Sequence, residues 1–419
     1  MTGLAIAAAL FFAYTLLARW LDRWSVTAPF VLVLTGIAVG PAGLGLIQNA
    51  VDEQAGVTLA ELTLAILLFT DAATVRLREA ETDARVVGRL LAIGLPLTIV
   101  LGAVAGVVIL PGLDWTIAAV LATILAPTDA ALGLPLVSNP LIPARVRRVL
   151  NIESGLNDGI ATPFLTFFLA VEVASETHHN WALESAVELG LAVVAAVVVG
   201  GLGGWLLREA QRSGLTSGVS VQLAIVALAL LAYGGSIAIG GNGFVAAFGA
   251  GIAFRQASNG TFVEASRFAE DLGLFGSFIV WLLFGIALAG PIVTGGFHPQ
   301  VILYAILSLT VVRMIPVAIA LFRSGFHPET VALIGWFGPR GLASVVFTFL
   351  ALDTLRSVGP VPDLLVQVAT WTVFLSVIVH GLSAGPLARL YARRIAVWGG
   401  GRFESMEITE PRQRRRGIG

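Results

Sequence analysis

Apolar residues run along this chain in blocks of about twenty, separated by short polar connections, and the blocks recur almost from one end to the other. Each block is long enough to cross a hydrocarbon core of about 30 Å. In lipid every backbone polar group must be satisfied within the segment, so the blocks predict helices. The expected spans are 3–20, 27–48, 56–75, 87–110, 115–136, 148–173, 183–206, 217–238, 241–255, 271–290, 299–322, 329–352 and 364–388. The pattern predicts an all-α membrane protein of about thirteen transmembrane helices. The opening stretch MTGLAIAAALFFAYTLLARW reads as the first span and not as a cleaved leader, because no basic residue precedes its apolar run and Arg19 and Arg23 follow it.

Charge sharpens this layout. All 25 basic residues are arginine. They gather in alternate connections: Arg19 and Arg23; Arg76, Arg78, Arg85 and Arg89; Arg145, Arg147 and Arg148; Arg208 and Arg212; Arg255 and Arg267; Arg323; and the C-terminal segment from Arg389. The intervening connections carry only Arg356, while Arg313 and Arg340 fall inside spans. By the positive-inside rule the N-terminus is expected outside and the C-terminus in the cytoplasm, which requires an odd number of spans. Charged residues make up 12% of the chain against about 25% in soluble domains, and no connection is long enough for a soluble domain. Residues 1–390 therefore read as one transmembrane unit and 391–419 as a short basic cytoplasmic tail, whose Arg414–Arg416 run sets topology or meets anionic lipid. A net charge of −1 gives no attraction to nucleic acid, and the absence of cysteine excludes disulfide and thiol chemistry.

Charges inside a membrane are costly, and each is a functional candidate. In span five, Pro127 of Leu125-Ala126-Pro127-Thr128-Asp129 removes a backbone donor and disfavours helix at Ala126. A broken helix with free carbonyls is expected there, with Asp129 either at an ion site, capping the second half-helix, or both. In span six, Ser154 and Asp158 share one helix face and Glu153 and Asn157 another. In span twelve, Gly338-Pro339-Arg340-Gly341 reads as a second break. Spans five and twelve are seven apart, so they occupy equivalent places if the chain is two inverted repeats, and paired breaks of this kind point to a midplane transport site. Crossed broken helices bring like dipole ends together; Asp129 would offset positive ends and Arg340 negative ones. Arg340 with Glu153 is the expected structural ion pair, leaving Asp158 without a cation of its own. Near neutral pH such a carboxylate holds either a proton or a small hard cation, and not both well. Ser154, Thr128, carbonyls and water would complete the oxygen shell. Competition at one carboxylate with alternating access yields coupled exchange and needs no cofactor.

Thr128-Asp129, Glu153-Ser154 with Asn157-Asp158-Gly159, and Gly338-Pro339-Arg340-Gly341, in this order and membrane context, resemble the bacterial sodium/proton antiporters of the monovalent cation:proton antiporter superfamily, in the branch with an Asn-Asp pair. The resemblance runs from about residue 27 to residue 390. It implies a homodimer, an elevator-like movement of a core against a dimerisation domain interleaved with it in sequence, and a bacterial-type inner membrane. By resemblance, Asp158 carries ion and proton, with Asp129, Thr128, Ser154 and Asn157 at the site, and Glu153 with Arg340 is the stabilising pair. Asn157 in place of a second aspartate implies electroneutral exchange, with sodium the expected cation.

Other charged residues read as accessory. Asp71, near the end of span three, reads as an interfacial residue, and Glu61, Glu172, Glu184 and Glu188 as solvated span ends. Arg313 needs a partner that the sequence does not name. His178 and His179 read as an ordinary polar loop, and His380 lies near the inner end of span thirteen. The competing reading is a sodium-coupled organic-anion symporter of similar fold, which a Glu153 unpaired from Arg340 would favour. A non-transporting receptor or scaffold fits poorly with three buried carboxylates beside two helix breaks, and no zinc-ligand motif or Ser/His pair supports a hydrolase.

Overall fold

The computed structural model describes residues 2–23, 26–47, 53–74, 81–137, 139–177, 181–296, 298–357, 359, 361–398 and 403–405. Its helices, in chain order, are α1 (Thr2–Arg23), α2 (Ala28–Val39), α3 (Glu53–Thr74), α4 (Glu81–Arg89), α5 (Leu95–Ile109), α6 (Trp115–Ile124), α7 (Leu134–Val137), α8 (Ala144–Thr177), α9 (Trp181–Ala196) and α10 (Gly203–Arg212). They continue as α11 (Gly218–Ala238), α12 (Gly243–Ala257), α13 (Ser266–Phe284), α14 (Gly290–Gly295), α15 (Pro299–Leu309), α16 (Val311–Ala320), α17 (Pro328–Trp336), α18 (Leu342–Arg356) and α19 (Asp363–Trp398). Single π-helical turns make continuous rods of α4–α5, α9–α10 and α13–α14. Among the described residues no strand occurs, and 8 helical rods are long and apolar enough to cross a membrane, with shorter apolar helices at Ala5–Leu21, Ala28–Val39 and Trp115–Ile124.

Local sequence explains the helix ends. Asp114 caps α6 by accepting the Ile117 N–H at 2.8 Å, and Asn242 caps α12 through the Val245 N–H at 3.0 Å. Proline opens α2, α15 and α17, where its missing N–H costs nothing. α6 stops at Ile124 ahead of Pro127, and α17 stops at Trp336 ahead of Gly338-Pro339. These are the interruptions expected in spans five and twelve. α19 does not stop near 388: it takes Pro386 into its interior and runs to Trp398, so Arg389, Arg393 and Arg394 are helical.

Packing relies on close backbone approach. A Cβ on Gly36 of α2 would lie 2.9 Å from the Gly285 Cα, so α2 meets the α13–α14 rod without side chains between them. Outward faces of α9 to α11 carry exposed apolar residues, among them Val193, Val197, Leu223 and Leu231, as a lipid-facing surface requires.

At the basic end of the bundle, buried Asp83 of α4 takes Arg145 at 2.8 Å and Arg148 at 3.4 Å, both from the first turns of α8. Beyond α19 the chain returns to this end. Phe403 lies under the Arg145 guanidinium, 4.1 Å from ring centre to carbon, and Arg145 donates to its carbonyl at 2.5 Å. Glu404 Oε1 accepts from the His327 N–H at 2.6 Å and the Thr330 hydroxyl at 2.9 Å, on the first turn of α17. The Arg414–Arg416 run, His178 and His179 lie outside the described residues.

Candidate functional site

The two breaks meet. The Asp129 N–H donates to the Pro339 carbonyl at 2.9 Å, and Asp129 Oδ2 accepts from the Leu342 N–H at 3.3 Å. Asp129 thus caps the positive end of α18 across the crossing. Close approach requires glycine at Gly341, where an added Cβ would land on the Asp129 side chain. Gly341→Ala is therefore expected to push the breaks apart. The measurement is thermal unfolding in detergent, where the variant should melt several degrees below wild type or fail to accumulate; an unchanged transition would show the crossing to be looser than this geometry.

α8 brings its polar residues to the first break. Ser154 Oγ donates to the Thr128 carbonyl at 2.8 Å and accepts from the Ala130 N–H at 2.7 Å, which satisfies two groups that the break releases. Asn157 Nδ2 donates to Thr128 Oγ1 at 2.6 Å. Asp158 is placed one residue on, within electrostatic reach of Asp129, Asp71 and Glu153. Among the described residues, Asp158 Oδ1 and Asn157 Oδ1 are buried and find no hydrogen-bond donor. The orphaned oxygens belong to successive residues, one of them acidic, and oxygens of this kind suit a small hard cation or a proton. A cavity of about 10 Å³ lies at the first break, lined by Thr128, Asp129, Glu153, Ser154 and Pro339, room for about one water.

The structure corrects the expected ion pair. Glu153 pairs with Arg313 of α16, Oε1 to Nη2 at 2.8 Å, and both side chains are buried, at 3% and 1% exposed. Arg340 instead folds back over carbonyls. Its Nη1 donates to Gly338 O and its Nη2 to Ser308 O, each at 2.8 Å. The cause is local: α17 ends beside it and α15 ends nearby at Leu309, and the last carbonyls of a helix lack intrahelical partners. The guanidinium fork satisfies a last-turn carbonyl of α15 and the Gly338 carbonyl within the break, which leaves Glu153 to the neighbouring arginine.

Asp71 lies close to α8. It is partly buried, and its Cγ would lie 3.7 Å from a Cβ on Gly155, less than one turn before Asp158. The glycine admits the carboxylate to the site, a signal readable in Gly155 but not in α3 itself. At the end of the bundle away from Arg145, a cavity of about 630 Å³ lies among α3, α8, α9, α11, α12 and α18. Glu61, Glu184 and Glu188 line it, with Glu61 accepting from the Tyr233 hydroxyl at 2.9 Å and Glu188 from Asn242 Nδ2 at 3.1 Å. Its wall includes Thr166 of α8, about two turns beyond Asp158. Between them the Phe248 ring packs on Gly159.

Comparison with known proteins places this arrangement among ion exchangers. The transmembrane sodium/hydrogen exchanger family model matches residues 6–390. The chain is 26% identical over 288 residues to a Na(+)/H(+) antiporter of Schizosaccharomyces pombe, covering 60% of this chain and 60% of that protein. It is 26% identical over 395 residues to an uncharacterised Na(+)/H(+) exchanger of Mycobacterium tuberculosis, covering 88% and 70%. To the K(+)/H(+) antiporter of a Shewanella strain it is 24% identical over 383 residues, covering 88% and 63%. The match to two fission-yeast relatives spans 60% and 40% of their lengths. The fold is similar to that of the sodium proton antiporter MjNhaP1 from Methanocaldococcus jannaschii, with a TM-score of 0.76, 19% identity and coverage of 93% of this chain and 98% of that one.

Proposed function

The chain belongs to the sodium/hydrogen exchanger family across residues 6–390, and from that premise we propose that it is a secondary active antiporter exchanging a monovalent cation, sodium first among them, for protons. The observation that carries this reading is the pair of buried, unpartnered oxygens on Asp158 and Asn157 beside the crossed breaks. Asp158 is the carrier, protonated or cation-bound by turns, with Asp129, Ser154 and Thr128 shaping the site. Ser154 and Thr128 are committed to the break's backbone and to Asn157, so they act by holding the site as much as by ligation. Glu153 is not bonded to Arg340, the condition that would favour a symporter. Arg313 takes that place, however, so no carboxylate is released for a second sodium site, and the family match gives the symporter no support.

In this reading the arginine-rich connections lie in the cytoplasm, the N-terminus lies outside a bacterial-type inner membrane, and the protein works as a homodimer in lipid. The cavity of about 630 Å³ is then the outer approach to Asp158. Purified protein in liposomes with an imposed pH gradient and an internal pH dye tests the reading. Addition of sodium, lithium or potassium is expected to collapse the gradient, with sodium most effective and with little dependence on a clamped membrane potential. No response to any of the three would overturn the proposal. Potassium in first place would move the chain toward the chemistry that its Shewanella relative is named for.

A further inference from the structure

The second break is held from outside by a side chain that cation exchange does not itself require. Trp336 is the last residue of α17, so its carbonyl has no helical partner further along the chain. It accepts from the Gly338 N–H at 2.8 Å and faces His380 Nε2 at 3.0 Å. On the other side of the break, the Arg340 N–H donates to Ser376 Oγ at 2.7 Å, and Ser376 Oγ lies 3.1 Å from His380 Nδ1. A neutral ring protonated on Nε2 donates to the Trp336 carbonyl and accepts the Ser376 hydroxyl proton at Nδ1, which also lies 3.2 Å from the Ser376 carbonyl. His380 and Ser376 sit one turn apart on α19, both fully buried at 0% exposed. Trp336 is docked on the same helix through Nε1 and Ser383 Oγ at 3.1 Å.

Between the two lips of the break lies Pro339, whose carbonyl takes the Asp129 N–H. The geometry points to His380 as a positioning residue for cation binding: through Ser376 it ties Arg340 to Trp336 and so holds the Pro339 carbonyl and the α18 amide against Asp129. It acts through the backbone of the break, not by touching the ion. The inference rests on the antiport reading for its transport readout, but the backbone effect is independent of it.

The test compares wild type with His380→Leu, His380→Gln and Ser376→Ala in liposomes, with transport normalised to folded protein. His380→Leu and Ser376→Ala are expected to raise the apparent KM for sodium by about tenfold, as the loss of one or two buried hydrogen bonds implies. Turnover at saturating cation should stay within about twofold, because Asp158 itself is untouched. A glutamine carboxamide offers a donor and an acceptor at about the spacing of the ring nitrogens, so His380→Gln should restore most of the affinity. Amide hydrogen exchange across residues 337–342 should quicken in His380→Leu and Ser376→Ala and return in His380→Gln. If His380→Leu does not fold, Ser376→Ala, which removes a single hydroxyl, carries the comparison. A lower melting temperature with unchanged KM and unchanged exchange would overturn the inference, as would a glutamine variant no better than leucine. Silence of wild-type protein toward every cation would defeat the antiport reading alone, and the exchange data would still decide the role of His380.

Discussion

Asp158→Asn is expected to reduce cation-dependent collapse of a pH gradient to the level of protein-free liposomes. The substitution is nearly isosteric, so packing around Phe248 and Gly159 is kept, but an amide neither releases a proton nor carries the charge that a cation needs. The other groups bonded at the first break are already engaged: Ser154 bonds the Thr128 carbonyl and the Ala130 amide, and Asn157 bonds Thr128 Oγ1. None of these neutral groups can take the proton in place of Asp158. Thermal unfolding of the variant should match wild type, which separates loss of the carrier from loss of the fold. Exchange that survives in a folded Asp158→Asn protein would move the carrier to Asp129 or Asp71, the acidic neighbours within electrostatic reach.

Breaking the buried ion pair is expected to have the largest effect on stability. Arg313 and Glu153 are 1% and 3% exposed, so either one left alone is an uncompensated charge in the interior. Glu153→Leu or Arg313→Met should each cost about 3–5 kcal/mol, while the double substitution should recover most of that loss. Thermal melting or protease resistance in detergent gives the values. A double-mutant cycle then isolates the pair, and coupling between Glu153 and Arg313 should exceed that between Glu153 and Arg340. Equal or reversed coupling would return Arg340 to the role that sequence assigns to it and refute the geometry seen here.

The contrast between these two arginines marks how far sequence reaches. Both breaks were legible because proline and glycine act locally: Pro127 and Gly338-Pro339 interrupt apolar runs regardless of what packs around them. The Ser154, Asn157 and Asp158 positions followed from helical periodicity alone. The partner of Glu153 was not legible. Periodicity gives height along a helix and the direction a residue faces, but two arginines in different spans were eligible. The choice turned on where the carbonyls of Ser308 in α15 and Gly338 in the break fall, which is a property of the assembled bundle. The neighbours of Asp71 were not legible for a similar reason. Asp71 lies one turn from the end of α3, and only the opposing Gly155 shows what it packs against. His380 was read as near the inner end of a span bounded at 388, whereas α19 continues to Trp398 with Pro386 inside it.

The crossing of the breaks also bears on how such a site can change. Its bonds are reciprocal: the Asp129 amide uses the Pro339 carbonyl, and the Leu342 amide uses the Asp129 carboxylate. Gly341 leaves room for that carboxylate and for nothing larger. Neither segment is therefore a module that can be transplanted by itself. A chimaera that imports residues 125–130 without 337–342, or without Ser154, would inherit amides and carbonyls cut to fit a partner left behind. In a lineage, the two halves of the chain are bound to drift together at this point, however freely their loops diverge.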